Sequence, residues 1–155
     1  MPTTLRVEIK QTKPFRSLEQ ELALSIARSA ALLEHEASEW LRPHGLTTTQ
    51  YNALRILRGA GDAGLCRNEV RDRLVARVPD ATRLLDRLEA MGLVAREREG
   101  DDRRFVTTRI TPAGLELLNR LDGPVDELHA RQFGHLGRHK LRTLIALLAE
   151  ARDRG

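Results

Sequence analysis

One cysteine, Cys66, stands in the whole chain, so no intrachain disulfide can form. That agrees with a reducing compartment without proving one. A lone cysteine and five scattered histidines offer no zinc cluster, and neither metal nor cofactor is expected. The loosely spaced His129, His135 and His139 read as a polar interhelical loop. Long apolar runs are missing too: the longest, residues 144–149, falls far below the roughly 18 consecutive apolar residues that a bilayer span requires. The opening MPTTLRVEIKQTKPF has no hydrophobic secretion core, so the expectation is a cytoplasmic protein without a membrane partner. Catalytic constellations are equally scarce. Residues 59–64 lack the Lys and hydroxyl of a phosphate-binding loop, and no nucleophile with a base and no paired carboxylates stand out. Ser17, Ser25, Ser29 and Ser38 are accounted for by helix caps and helix surface. No enzyme is expected.

Lysine is nearly absent: Lys10, Lys13 and Lys140 are the only lysines among 26 cations, and the rest are arginine. A net charge of +4 and an isoelectric point near 10.0 fit a polyanion-binding protein, while a GC-rich genome produces the same arginine bias. Order along the chain has to decide.

At 155 residues and 41% hydrophobic, the chain suffices for one domain, or one domain with dimerisation arms, and not for two large ones. After a polar lead containing Pro14, Ser17-Leu18-Glu19-Gln20 has capping-box spacing and opens a long helix. Leu18, Leu22, Ile26, Leu33, Ala37 and Leu41 recur at helical spacing. Leu24, Ala31, Leu32 and Trp40 widen that face, so the helix needs two surfaces to pack on. Pro43 and Gly45 end it near Leu41. A second capping box, Thr47-Thr48-Thr49-Gln50, starts a short helix that Gly59, Gly61 and Gly64 break. Residues 67–74 form a third. Pro79 is expected in the first turn of a fourth, where a missing N–H costs nothing. In it Ala81, Leu84, Leu85, Leu88 and Met91 face inward, and Gly92 ends it in left-handed conformation.

From Val94 the period changes to two. Val94, Arg96 and Arg98 alternate with Ala95, Glu97 and Glu99; Gly100-Asp101-Asp102 makes a turn, and residues 105–110 are aromatic and β-branched. This is a β-hairpin with a charged tip. Thr111-Pro112 reads as an N-cap and first helical residue, and Gly123-Pro124 is expected to kink or interrupt the helix that follows. A last helix after Gly137 has an apolar face, Leu141, Leu144, Ile145 and Leu148, with little chain left to cover it.

The fold class that emerges is mainly α with a small β-hairpin wing: a winged helix-turn-helix with N- and C-terminal dimerisation helices. Its expected parts are a lobe over residues 46–110 and dimerisation helices over 17–42 and 111–155. A helix of this length fits the DNA major groove with its N-terminal side chains on base edges. Asp80, Thr82, Arg83 and Arg87 are the candidates there, set against an exposed face merely solvated by charge. At the hairpin tip Arg103 and Arg104 are placed for the minor groove, and Asp102 can hold one of them rigid. An ordinary charged tip carries equal weight on spacing alone.

The runs GLTTTQYNALRIL, RVPDATRLLDRLEAMGLVARE and DDRRFVTTRITPAG resemble the MarR family of regulators over nearly the whole chain. The resemblance implies a homodimer joined by its terminal helices, with two winged lobes on a pseudo-palindromic operator in double-stranded DNA. It implies a recognition helix over residues 79–91 and a wing motif in which Asp102 positions Arg104 in the minor groove. Family members commonly respond to small phenolic ligands, to oxidants through a cysteine, or to metal, so a small-molecule effector is an open expectation. The family's peroxide-sensing cysteine belongs to the first helix; Cys66 lies ahead of the third and reads as a small packed thiol. Independently of the family, the two apolar terminal helices call for a second copy. The rival reading is a winged-helix adaptor that holds protein instead of DNA.

Overall fold

Side-chain caps open three of the longer helices of this chain. The computed structural model describes residues 3–98, 100 and 105–154, and it divides into two units, Met1–Ala53 and Leu54–Gly155. In the first, the polar lead contains a helix that no apolar period announces, α1 (Leu5–Glu8). The Arg6 guanidinium donates to the Gln11 and Thr12 carbonyls at 3.2 and 2.6 Å just beyond it. The long helix α2 (Leu18–Leu41) starts as expected: Ser17 Oγ accepts from the Gln20 N–H at 3.1 Å. The Gln20 side chain returns to the Arg16 N–H at 2.7 Å, one residue before the cap. Much of the apolar face of α2 lies open, with Leu18 80% and Leu22 55% exposed.

Helix α3 (Thr48–Ala60) opens on a fully reciprocal box. Thr47 Oγ1 accepts from the Gln50 N–H at 3.1 Å, and Gln50 Oε1 accepts from the Thr47 N–H at 3.0 Å. The helix runs through Gly59, since one glycine weakens a helix without ending it. The turn is made by Gly61 and Gly64, both at positive φ.

The second unit continues with β1 (Leu65–Cys66), α4 (Arg67–Arg73), α5 (Thr82–Ala90), β2 (Val94–Arg98), β3 (Val106–Ile110), α6 (Pro112–Phe133) and α7 (Gly137–Arg152). The expected hairpin is present, β2 against β3 from Val94 opposite Ile110 to Arg98 opposite Val106. It has a third member. Strand β1 pairs antiparallel with β3, Leu65 opposite Thr108, so β3 is central. Two residues are too few to show a period of two, which is why the pattern did not announce this strand. The core is built of Leu54, Leu57, Val70, Leu85, Leu88, Leu118 and Leu121, each 2% exposed or less.

Three further expectations are corrected. The fourth helix begins at Thr82, not in the turn of Pro79, because the Asp80 carboxylate takes the Thr82 N–H in an Asx turn ahead of it. Met91 is the residue after its last turn and is exposed, not inward. Helix α6 is not interrupted at Gly123-Pro124 but continues to Phe133; Pro124 removes one backbone donor while the turns on either side keep theirs. Other signals hold. Gly92 lies at φ +74°, Pro112 fills the first turn of α6, and Thr111 Oγ1 accepts from the Gly114 N–H at 3.2 Å while donating to the Gly92 carbonyl at 2.7 Å. Helix α7 begins at Gly137 itself and has no buried residue; Leu144 and Ile145 are exposed. Among the described residues no helix is long and apolar enough to cross a membrane.

Gly114, buried in the first turns of α6, faces Leu93 O, and a Cβ there would also meet Ile110 Cγ1 at 2.7 Å. Gly114→Ala is therefore expected to lower unfolding free energy by about 1–3 kcal/mol in urea titration. Gly59→Ala, with open space around its Cβ, is expected to raise it by up to about 1 kcal/mol; equal effects at the two sites would count against the packing described.

Candidate nucleic-acid interface

Burial of one helix face fixes what the other presents. Leu85 and Leu88 point into the lobe, and at helical spacing this turns Arg83 and Arg87 outward, where both are exposed. Among the described residues no ion pair engages either guanidinium, so the Asp80–Arg83 pairing that spacing permits is not made. Asp80 instead turns to Thr82. Its Oδ1 accepts from the Thr82 N–H at 3.0 Å and from the Thr82 hydroxyl at 2.7 Å. Arg67, at the start of α4, donates to Thr82 Oγ1 at 3.2 Å and lies 3.7 Å from Asp80. The hydrogen bonds from Thr82, with the nearby charges of Arg67 and Arg71, hold the Asp80 carboxyl below its ordinary pKa. A network thus ties α4 to the first turn of α5 and sets the direction of the Thr82 side chain. Arg67 was not a sequence candidate; its charge is one of many, and only the fold brings it to Thr82.

Further along the stripe of α5 that Thr82 begins, Asp86 and Glu89 (i+4 and i+7) converge on Arg96 of β2. Arg96 donates from Nε and a terminal nitrogen to the two Glu89 oxygens at 3.1 and 3.0 Å, and forms an ion pair with Asp86 Oδ1 at 2.7 Å. Its backbone N–H also reaches Glu89 Oε2 at 3.1 Å. The Arg96 fork is the main reason the Glu89 carboxyl sits below its usual range, and the Arg96 guanidinium is correspondingly harder to deprotonate. At the root of the ribbon, Arg109 of β3 donates to the Asp62 carbonyl at 2.7 Å and to Glu97 of β2 at 3.0 Å. The expected wing residues Asp102, Arg103 and Arg104 lie outside the described residues.

Between α4, α5 and the sheet is a cavity of about 280 Å³ lined by Cys66, Leu85, Phe105 and Thr108 among others. Thr108 is 1% exposed, and its hydroxyl finds no hydrogen-bond partner. Phe105 lies just outside β3 and is 65% exposed. Cys66 is half-buried and acts as the N-cap of α4: its side chain accepts from the Glu69 N–H, and Glu69 Oε2 accepts from the Cys66 N–H at 2.8 Å. The cavity was not legible beforehand because it exists only where three elements meet.

The geometry has relatives. A family model described as MarR family matches residues 44–104. The uncharacterized HTH-type transcriptional regulator YkoM of Bacillus subtilis (strain 168) is 30% identical over 142 residues, covering 88% of this chain and 90% of that protein. The crystal structure of a MarR transcription factor from Planctomyces limnophilus is 40% identical, covers 88% of this chain and 98% of its own, and superposes with a TM-score of 0.69. A crystal structure of NadR in complex with 4-hydroxyphenylacetate is 26% identical over 92% of this chain and all of its own, with a TM-score of 0.69.

Because Asp80 and Glu89 are held below their ordinary range of about 4, their hydrogen bonds stabilise the fold fully above that range. The contribution is lost as pH falls through the lowered folded values. The D80N/E89Q double variant is therefore expected to lose less stability than the unaltered chain between pH 6 and 3, as read from urea midpoints. Parallel losses in the two proteins would remove these carboxylates from the account.

Proposed function

The chain belongs to the MarR family, and from that premise we propose a homodimeric transcriptional regulator that binds a pseudo-palindromic operator in double-stranded DNA. The observation that carries this reading is the outward pair Arg83 and Arg87 on α5, one turn apart, beside a Thr82 whose rotamer is fixed by Asp80 and Arg67. Arg83 and Arg87 meet guanine edges or phosphates in the major groove, where a guanidinium can bond a guanine bidentately. Asp80 acts through Thr82. The connection between β2 and β3 supplies Arg103 and Arg104 to the minor groove, with Asp102 positioning Arg104.

Helices within 17–42 and 111–155 join the two copies. Support comes from the exposed leucines of α2 and, separately, from α7, where Leu144, Ile145 and Leu147 are 43%, 67% and 54% exposed. Two lobes then address half-sites about one helical turn, roughly 34 Å, apart. Occlusion of a promoter makes the regulator a repressor, working in the cytoplasm by binding and not by catalysis. The cavity over Thr108 is the seat of a small effector. Its volume and its lining, Leu85, Phe105 and Val106 beside Arg67, suit one aromatic ring bearing a polar group, the chemical class bound in the NadR structure.

Binding to the chain's own promoter region, measured by retardation at two salt concentrations, is expected to weaken steeply with salt. Salt-insensitive or absent binding would favour a protein-holding adaptor. Arg104→Ala is expected to weaken operator binding by about 1–3 kcal/mol and leave the dimer intact. Leu144→Asp is expected to do the reverse in order of cause, yielding monomer at micromolar concentration in sedimentation velocity; a variant that stays dimeric speaks against α7 as part of the interface.

A further inference from the structure

We infer that Arg96 is the positioning residue that fixes strand β2 of the ribbon against the recognition helix, so that ribbon and helix meet DNA in one relative orientation. The inference deepens the proposed DNA reading and rests on it. Strand β2 is an edge strand, paired to β3 on one side only. On its free side, at its middle residue, Arg96 makes one backbone and two side-chain hydrogen bonds to Glu89 and an ion pair with Asp86, both on α5. The two bonds to Glu89 run in parallel from the guanidinium fork, the arrangement that fixes angle as well as distance. Arg109 of β3 reaches the Asp62 carbonyl and Glu97 at the root of the sheet. Buried Leu93 and Val94 seat the start of β2, and further along the strand Arg96 ties its middle to the side of α5.

Exposure argues for positioning over bulk stability. The side chains of Arg96, Asp86 and Glu89 are 26%, 52% and 41% exposed, and ion pairs this open contribute little to global unfolding. A second role for the same atoms has to be separated from the first. Without Arg96, two uncompensated carboxylates would share α5 with Arg83 and Arg87 and repel phosphate. Neutral carboxamides at both positions remove that repulsion without restoring the fork.

The test measures dissociation constants by fluorescence anisotropy on a duplex that the unaltered protein selects from a random-sequence pool. The proteins are the unaltered chain, R96K, R96Q and D86N/E89Q/R96Q, each with and without R104A. Positioning predicts that the charge-neutral triple variant binds about tenfold or more weakly while its melting temperature stays within a few degrees, and that R96K is intermediate. It also predicts that R104A, costing about tenfold or more in the unaltered chain, changes the triple variant by less than about threefold, since coupled contacts are not additive. Near-normal binding by the triple variant would reduce Arg96 to charge masking and overturn the inference, as would an undiminished R104A effect. If R104A is silent in the unaltered chain, the wing reading itself fails and takes this inference with it. Should the triple variant melt early, the same cycle run with R96K decides.

Discussion

Burial of Leu85 and Leu88 is the constraint from which the working face follows. Each leucine placed in the core contributes about 1.5–3 kcal/mol, and with 3.6 residues per turn their burial leaves α5 no freedom about its own axis. Arg83 and Arg87 are outward because Leu85 and Leu88 are inward. The same rotation aims Asp86 and Glu89 sideways at β2, where Arg96 waits. Exposure, pairing and direction of the polar residues on this helix are thus consequences of two apolar side chains.

Fixing rotation does not fix the helix start, and here polar chemistry takes over. Pro79 marks the sequence most strongly, yet the first helical residue is Thr82, because a carboxylate in reach of the Thr82 N–H satisfies one orphan donor and stops the helix from growing backwards. Arg67 completes the arrangement from another helix. The result is a threonine whose hydroxyl donates to Asp80 and accepts from Arg67. A side chain held from both sides loses less entropy when it is used.

What was legible in the sequence is what depends on near neighbours. The Ser17 cap, the reciprocal Thr47–Gln50 box, the left-handed Gly92, the Thr111-Pro112 start and the β2 strand are written within a few residues, and each is found in place, although Gln20 returns to the Arg16 N–H instead of closing the first box on Ser17. What was missed depends on distant chain or on too little chain. Strand β1 is two residues long and owes its existence to β3, more than 40 positions on; Gly64 permits the approach, since a Cβ there would sit 2.6 Å from Thr107 Cγ2 and 2.7 Å from the Thr108 carbonyl. Helix α1 is a single turn without an apolar stripe. The uninterrupted α6 shows the opposite error, a strong local signal overridden by the turns around it. For the site, Thr82, Arg83 and Arg87 could be nominated from position on a helix, whereas Arg67 and Arg96 have no local mark.

Acidic residues on a helix meant for a polyanion look like a contradiction until their partners are included. Asp80, Asp86 and Glu89 bring three negative charges to a short stretch that also carries Arg83 and Arg87. None of the three faces solvent unpaired: Asp80 is spent on Thr82 and Arg67, and the other two on Arg96. What α5 presents to a phosphate backbone is consequently more positive than its composition, and the acids serve as attachment points to the elements on either side. This is a stricter arrangement than a uniformly cationic helix. Nonspecific attraction is given up in part, and in return α4, α5 and β2 keep one relative geometry, which is what discrimination among base sequences requires.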